Sequence, residues 1–368
     1  MPLRPLPILL TVLHAYVAAR LLLPLDLAGR VAGGALLALS FVLTPKGFWI
    51  RKRGRWSVMA PWIAAGFFSW LLVLTLARDV ALAIAPLALP PGALAPWARL
   101  SALGVLGLSA LITLIGYAMA RRVARVVEVE IPVEDLPEPL EGFTIAQISD
   151  LHVGPTIRRP FIEKVVERVN RLQADMVAIT GDLVDGSVGE LSHHTQPLAE
   201  LESRHGTYVV TGNHEYYSGA HAWIGELRRL GARVLLNEHI VIDHDGGTLA
   251  IAGVTDWSAH HFDPSHRSDP ERAAEGAPEH ATKVLLAHQP RSAIQAAGLG
   301  YHLQLSGHTH GGQFWPWNFF VRLQQPFTAG LERLDRMWIY ISRGTGYWGP
   351  PMRFGVPSEI TRIRLVRA

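Results

Sequence analysis

Five short polar clusters stand in the second part of this sequence: SDLH at 149–152, TGDL at 180–183, TGNHE at 211–215, LAHQP at 286–290 and SGHTH at 306–310. Between them they carry Asp150, His152, Asp182, Asn213, His288, His308 and His310. Two carboxylates, one amide oxygen and four imidazoles are good ligands for a cation. Nitrogen and oxygen donors without sulfur suit manganese, iron or zinc, whereas calcium would want nearly all oxygens. Seven donors are too many for one tetrahedral ion, but they serve two divalent ions if one carboxylate bridges. The chain has no cysteine, so thiolate ligands, a cysteine nucleophile and disulfides are all excluded. Histidine count alone proves little, because 16 of the 17 histidines fall between His152 and His310.

Position says more than count. Each cluster closes a short apolar run rich in β-formers (FTIAQIS, MVAIT, TYVV, KVLLA, HLQLS), and these runs alternate with stretches of helical period such as PFIEKVVERVNRLQAD. In that stretch Pro160 suits a first helical turn, and Ile162, Val165, Val166 and Val169 share one face. The alternation predicts an α/β domain. Ligands of open α/β sheets gather at the carboxyl ends of strands, which would bring the five clusters into one crevice. In extended backbone, residues i and i+2 point to one side, so the members of D-x-H and of H-x-H are expected to face a common centre. Gly181, Gly212 and Gly307 permit tight turns and close backbone approach beside the ligands.

The first third of the chain differs in character. Mean hydropathy is positive overall, and the excess lies in apolar runs at 6–25, 31–44, 58–77 and 100–120. Each is close to the roughly 20 residues of a bilayer-spanning helix, which predicts four transmembrane helices. The first run is read as a retained span, because three more follow and no clear cleavage site stands out. The second is short enough to be interfacial, which would leave an odd number of spans. Lys46, Arg51, Lys52, Arg53 and Arg55 follow the second run and Arg121, Arg122 and Arg125 the fourth, which with four spans puts both termini on the cytoplasmic side.

The pI of 9.3 belongs to this anchor: residues 1–125 hold 13 basic and 2 acidic side chains, net +11, and the remainder 21 and 29, net −8. That division fits anionic lipid headgroups and gives no expectation of nucleic-acid binding. The organisation read here is an anchor over 1–125, a linker over 126–142 and a catalytic domain over 143–368.

In order and type, D-x-H, G-D, G-N-H-E, a lone histidine and G-H-x-H resemble the calcineurin-like metallophosphoesterase superfamily. The C-terminal ISRGTGYWGPPMRFGVPSEITRIRL resembles its membrane-associated bacterial branch of the YaeI and YkuE type. The resemblance implies a β-sandwich flanked by helices; the βα alternation supports that fold only in part. It also implies two divalent ions, Mn2+ first, with iron or zinc as alternatives. By that resemblance, Asp150, His152, Asp182 and His310 would hold one ion, and Asp182, Asn213, His288 and His308 the other. His214 would be the catalytic residue that is not a ligand.

The implied chemistry is phosphoester hydrolysis. Two cations about 4 Å apart acidify a bridging water to hydroxide and clamp the phosphoryl oxygens. His214 stabilises developing charge or protonates the leaving oxygen. The bond would be a phosphodiester or pyrophosphate, in a substrate that some members of the branch suggest is a lipid-linked nucleotide such as UDP-2,3-diacylglucosamine. The implied location is the bacterial inner membrane, multi-pass, with membrane lipids as neighbours and the catalytic domain cytoplasmic.

Other residues have bland readings. His193, His194, His260, His261, His266 and His280 lie in polar stretches and read as surface residues. His14, inside the first span, reads as a neutral ring hydrogen-bonded within the bundle. Arg158 and Arg159 read equally as phosphate contacts or as a solvated helix start, and Asp256 equally as an orienter behind the site or as a turn residue. Segment 258–280 is polar and broken by prolines, as an exposed loop would be. Phe314, Trp315, Trp317, Phe319 and Phe320, directly after G-H-x-H, fit a membrane interface and internal packing about equally well. The alternative function is a metal-holding membrane regulatory or scaffold protein without turnover, against which the complete ligand set and His214 argue. A binuclear amidohydrolase is a weaker rival, because its H-x-H pair generally opens the domain, and here that pair closes it.

Overall fold

The computed structural model describes residues 5–49, 55–88, 90 and 92–368. Arg51, Lys52 and Arg53 of the basic loop lie outside the described residues. The chain divides into two compact units, Met1–Arg121 with Gly349–Met352, and Arg122–Trp348 with Arg353–Ala368.

The first unit is helical: α1 (Pro5–Leu22), α2 (Leu27–Leu43), α3 (Lys46–Trp49), α4 (Arg55–Ile84) and α5 (Leu94–Ala120). Two stretches, Trp56–Leu87 and Leu94–Ala120, are long and apolar enough to cross a membrane by length and composition, whereas Pro7–Leu22 and Leu27–Leu43 are apolar but shorter. Four apolar segments are therefore present, and two of them meet the criterion for a span. Polar groups fasten the bundle internally: Asp79 on α4 accepts from Tyr16 Oη and Arg20 Nε on α1, both at 2.7 Å, and Arg78 Nε donates to Ser101 Oγ on α5 at 2.9 Å. His14 donates from Nδ1 to the Leu10 carbonyl, 2.8 Å away, and stacks on Phe68, so its ring is satisfied inside the bundle.

The second unit is a sandwich of two six-stranded sheets, ordered β1-β12-β2-β3-β4-β5 and β10-β11-β9-β8-β7-β6. The first comprises β1 (Arg125–Val133), β2 (Thr144–Ile148), β3 (Met176–Ile179), β4 (Thr207–Val209), β5 (Arg233–Val234) and β12 (Glu359–Arg367). The second comprises β6 (Glu238–His244), β7 (Gly247–Gly253), β8 (Thr282–Leu286), β9 (Leu303–Ser306), β10 (Gly330–Leu334) and β11 (Met337–Ile341). The strands that precede the five clusters, β2, β3 and β4 in one sheet and β8 and β9 in the other, run parallel within their sheets.

Residues of both sheets, among them Ile145, Met176, Tyr208, Val284, Leu286, Leu303 and Leu305, pack into one core. Leu285 points to the opposite face, into a cluster with Ala287, Ala293 and Ala296. Burial on both faces explains why KVLLA reads as a continuous apolar run. On the first sheet's side, helix α6 (Arg159–Asn170) buries Ile162, Val165, Val166 and Val169 as its spacing predicts, together with Phe161. Each such side chain contributes on the order of 1.5–3 kcal/mol when fully buried.

Two segments are more ordered than a linker and an exposed loop, the first through a strand that its alternation of apolar and acidic residues already suggests. Within 126–142, expected to link anchor and domain, β1 pairs in parallel with β12 from Arg125 and Glu359 to Val133 and Arg367. Its alternating Val129, Ile131 and Val133 reach the core between the sheets. Segment 258–280 contains short 3-10 turns and a helical turn, Pro270–Ala274, and buries Ala259 and Ala273.

Candidate metal centre

All five clusters meet at the carboxyl ends of β2, β3, β4, β8 and β9. One group joins Asp150, His152 and His310, and a second joins Asp182, His288 and His308. In the first, His310 Nε2 lies 3.0 Å from His152 Nε2 and 3.5 Å from Asp150 Oδ1. In the second, His288 Nε2 lies 3.1 Å from Asp182 Oδ2 and 3.2 Å from His308 Nδ1. Asp182 Oδ2 is also 3.9 Å from His152 Nε2, so this one carboxylate borders both groups. His308 and His310 thus face different groups, although they are two residues apart.

The geometric reason for convergence differs from the one the spacing suggested. Asp150, His152, Asp182, His308 and His310 all have positive φ, between 51° and 70°, beyond the ends of their strands. The backbone is left-handed there, which costs free energy for residues other than glycine and is concentrated where a site demands it. Glycines make room: a Cβ on Gly212 would stand 2.2 Å from Asp182 Oδ1, and one on Gly307 would stand 2.0 Å from Ser149 Oγ.

A helix and a carboxylate lock the loops together. Asn213 opens α8 (Asn213–Ser218). Glu215 accepts from the backbone N–H groups of Gly212, Asp182 and Leu183 at 2.6, 3.0 and 2.7 Å, tying the β3 loop to the β4 loop. Burial and the nearby Asp182 push Glu215 up to about 7. The Asp182 carboxylate accepts the His214 N–H at 2.8 Å, and the Asp150 carboxylate accepts the His308 N–H at 3.0 Å.

The donor chemistry fits divalent cations. His288 Nδ1 faces the Thr180 carbonyl at 2.7 Å, which can only accept, so Nδ1 carries the ring proton and a lone pair on Nε2 is left facing the carboxylate of Asp182. His152 Nδ1 likewise donates to Asp185 Oδ1 at 3.0 Å, leaving Nε2 turned toward His310. Asn213 Oδ1 is buried with no hydrogen-bond partner among the described residues. Lone pairs crowded against a carboxylate repel one another unless a proton or a cation stands between them. In the protein alone a proton takes that place. Burial opposes charge on His288, but Asp182 outweighs it and lifts the ring well above its ordinary value, while burial and His288 drive His308 down to about 3.

His214 joins neither of those two groups; it shares a third with His152 and Asp185. Its Nδ1 is 2.6 Å from Asp185 Oδ1 and its Nε2 is 4.0 Å from Asp182 Oδ2. Burial disfavours the charged ring, yet Asp182 and Asp185 prevail and raise His214 to about 9. The rings of Tyr217 and Trp348 stand 5.2 and 5.9 Å from it.

Three neighbours of the site were not singled out in the sequence. Asp185, three residues after Asp182, was legible as the last acid of GDLVD. Glu215 was visible only as the end of TGNHE. Arg353 gave no signal: its guanidinium is fully buried, donates to the carbonyls of Gly346 and His310 at 2.6 and 3.0 Å, and lies 3.1 Å from His310 Nδ1. Asp256 is buried and accepts from Gln289 Nε2 at 3.1 Å and from Ser258, directly behind His288. Of the run after G-H-x-H, Phe314 is buried, whereas Trp315, Trp317, Phe319 and Phe320 are exposed.

Residues 143–312 match the Calcineurin-like phosphoesterase family. The chain is 39% identical over 269 residues to a transmembrane protein with metallophosphoesterase domain of Danio rerio, covering 71% of this chain and 62% of that one. It is 35% identical over 244 residues to a metallophosphoesterase of Aquifex aeolicus, covering 66% of this chain and 91% of that one. It is 28% identical over 240 residues to the metallophosphoesterase YkuE of Bacillus subtilis, covering 62% of this chain and 81% of that one. The chain spans about three-fifths of the length of the vertebrate proteins it matches. A two-sheet α/β domain, five clusters converging on one buried carboxylate, and similarity along nearly the whole Aquifex protein place this chain in the calcineurin-like metallophosphoesterase family.

Proposed function

We propose that the protein is a membrane-anchored hydrolase of a phosphodiester or pyrophosphate bond that works with two divalent metal ions. The observation that carries this reading is the junction at Asp182, where one buried carboxylate borders both donor groups; Asn213 Oδ1, from the cluster after β4, is buried with no hydrogen-bond partner among the described residues. Asp150, His152, Asp182 and His310 would hold one ion, and Asp182, Asn213, His288 and His308 the other. The ions, Mn2+ first among the candidates, would supply an acidified water and electrostatic stabilisation of the phosphoryl oxygens.

The chain's own residues do the rest. His214, carrying its proton because Asp185 and Asp182 favour the charged ring, presents Nε2 to the leaving oxygen and donates to it. Asp185 keeps that ring oriented through Nδ1. Cations nearby would lower His214 from its raised value toward neutrality, where a general acid is most effective.

Four apolar segments and the basic residues after the second and fourth support a multi-pass anchor in the bacterial inner membrane, with the catalytic domain cytoplasmic. A lipid-linked nucleotide such as UDP-2,3-diacylglucosamine fits as substrate for two reasons. Four residues separate the end of α5 from β1, and four exposed aromatics follow the G-H-x-H motif. The test is purified full chain with Mn2+, assayed on bis(p-nitrophenyl) phosphate and on UDP-2,3-diacylglucosamine, with metal content measured in the same sample. Hydrolysis of either supports the reading. No hydrolysis of any phosphate ester by metal-loaded protein overturns it.

A further inference from the structure

Away from the centre described above, a second set of metal-ligating side chains comes together. His221 is the second residue of helix α9 (Ala220–Arg229), and Asp263 precedes and His266 ends the turn Pro264–His266 in the polar segment after β7. One nitrogen from each ring and one carboxylate oxygen lie within 4.8 Å of one another. His221 Nε2 is 2.9 Å from Asp263 Oδ2, and the two imidazoles stand with their centroids 5.0 Å apart. We propose that His221, Asp263 and His266 form a third metal site, suited to a first-row ion such as zinc and separate from the hydrolytic centre.

Two of the three ligands, Asp263 and His266, are oriented from behind. Asp263 uses Oδ1 to accept from Ser265 N and Ser265 Oγ at 2.9 and 2.7 Å, which leaves Oδ2 for another partner. His266 Nδ1 is held by Tyr216 Oη at 2.8 Å, leaving Nε2, and its carbonyl accepts from Thr255 Oγ1 at 2.8 Å, which fixes the backbone. An imidazole tied through one nitrogen and open at the other is the usual arrangement of a metal-binding histidine. Two imidazoles and one carboxylate, with water as a fourth ligand, make a tetrahedral set that suits zinc. Neighbouring ligands of such an ion stand roughly 3.3 Å apart. The exposed His221 side chain can reach that spacing by a small rotation.

The site would fasten helix α9 to the loop that carries Phe262. The Phe262 ring lies 5.5 Å from Tyr217, and Tyr217 lies 5.2 Å from His214. An ion there therefore stiffens one wall of the approach to His214. That consequence for turnover rests on the hydrolase reading; the binding itself does not.

The test uses the full chain without a polyhistidine tag, stripped with chelator and equilibrated with zinc chloride, with bound zinc counted per chain by elemental analysis. Wild type is expected to hold one more zinc than His221→Ala, a change that removes only an exposed side chain, and Asp263→Asn should match His221→Ala. Zinc should also slow tryptic cleavage after the exposed Arg267 at least several-fold in wild type and leave His221→Ala unaffected. Asp182→Asn, which disables the hydrolytic centre, should keep the zinc that His221→Ala loses, so failure of the two readings is separable. Equal zinc counts in wild type and His221→Ala, with no protection at Arg267, would overturn the proposal and leave the cluster an ion pair that staples the loop.

Discussion

His214 and Asp185 are joined by a 2.6 Å contact from Nδ1 to Oδ1, and the same carboxylate oxygen accepts from His152 Nδ1 at 3.0 Å. One oxygen therefore orients both an expected ligand and the expected acid. Asp185→Asn can still accept a hydrogen bond but supplies no charge. Its kcat on a phosphodiester is expected to fall about 10–100-fold, the usual effect of removing a partner behind a ligand. Metal content should fall less than activity. Wild-type kcat in this variant would remove Asp185 from the mechanism.

His214→Ala separates acid catalysis from metal binding. His214 is not one of the expected ligands but shares a donor group with His152 and Asp185; bound metal should stay close to the wild-type level, while kcat drops about 10²–10⁴-fold, the range for a lost general acid. The loss should be smaller for p-nitrophenyl esters, whose leaving group needs no proton, than for an alkyl ester. Equal losses on both leaving groups would assign the ring to charge stabilisation instead.

Gly212→Ala tests the packing that places Asp182. The added methyl would stand 2.5 Å from Asp182 N and 2.2 Å from Asp182 Oδ1, and the backbone there is held by Glu215, so the carboxylate must move. Overpacking of this kind typically costs 1–3 kcal/mol, about that much here too, and the displacement should abolish stable binding of both ions. Elemental analysis of purified Gly212→Ala, against wild type carried through the same steps, is the measurement. Two ions retained per chain would show that Asp182 is not the shared ligand.

The sequence carried the site further than the fold. Residue types survive any register error, so Asp150, His152, Asp182, Asn213, His288, His308 and His310 could be named before any strand was placed. Their convergence at the carboxyl ends of strands was legible, but the members of D-x-H and H-x-H, expected on extended backbone, turn through left-handed positions instead, because φ at a single residue leaves no periodic trace. Arg353 was invisible for another reason: a buried arginine is identified by the carbonyls around it, and those of Gly346 and His310 belong to loops that meet only in three dimensions. The second sheet was equally hidden, since βα alternation specifies neighbours along the chain and not which runs share a sheet. Strand β1 could be suspected from alternating Val129, Ile131 and Val133, but its parallel partner β12 lies more than 200 residues away.

His302 predicts an acid limb in stability independent of the centre. Its Nδ1 accepts the Lys283 N–H at 3.0 Å, and a protonated ring could not. Burial, then Lys283 and Arg336 nearby, lower it from the ordinary 6.5 against the opposing Lys283 hydrogen bond and Asp135. The neutral ring is the one that suits the fold, so its contribution is full above 6.5 and is lost as pH falls below that value toward the folded one. With chelator present, wild type should lose Tm between about pH 7.5 and 5.5, and His302→Gln, which keeps an acceptor and never charges, should lose less. Parallel Tm curves for the two proteins would place the acid sensitivity elsewhere.

The exposed aromatics after the G-H-x-H motif offer a test of whether substrate comes from a lipid surface. Phe319 is 62% exposed and Phe320 53%, with Trp315 and Trp317 beside them, and Leu323 is 83% exposed. Such a set on water is unfavourable unless something apolar covers it. If the cover is the bilayer or the acyl chains of a lipid substrate, replacing Phe319 and Phe320 with serine removes binding area but no contact with the donor groups. KM for substrate in anionic vesicles should then rise about 10-fold, corresponding to roughly 1.4 kcal/mol, while kcat/KM for bis(p-nitrophenyl) phosphate stays within about two-fold. The two exposed rings contribute little to the core, so the fold should survive the change. Equal loss on vesicle-borne and soluble substrates would instead make the loop part of the active-site wall, and no loss on either would remove lipid from the account of this surface.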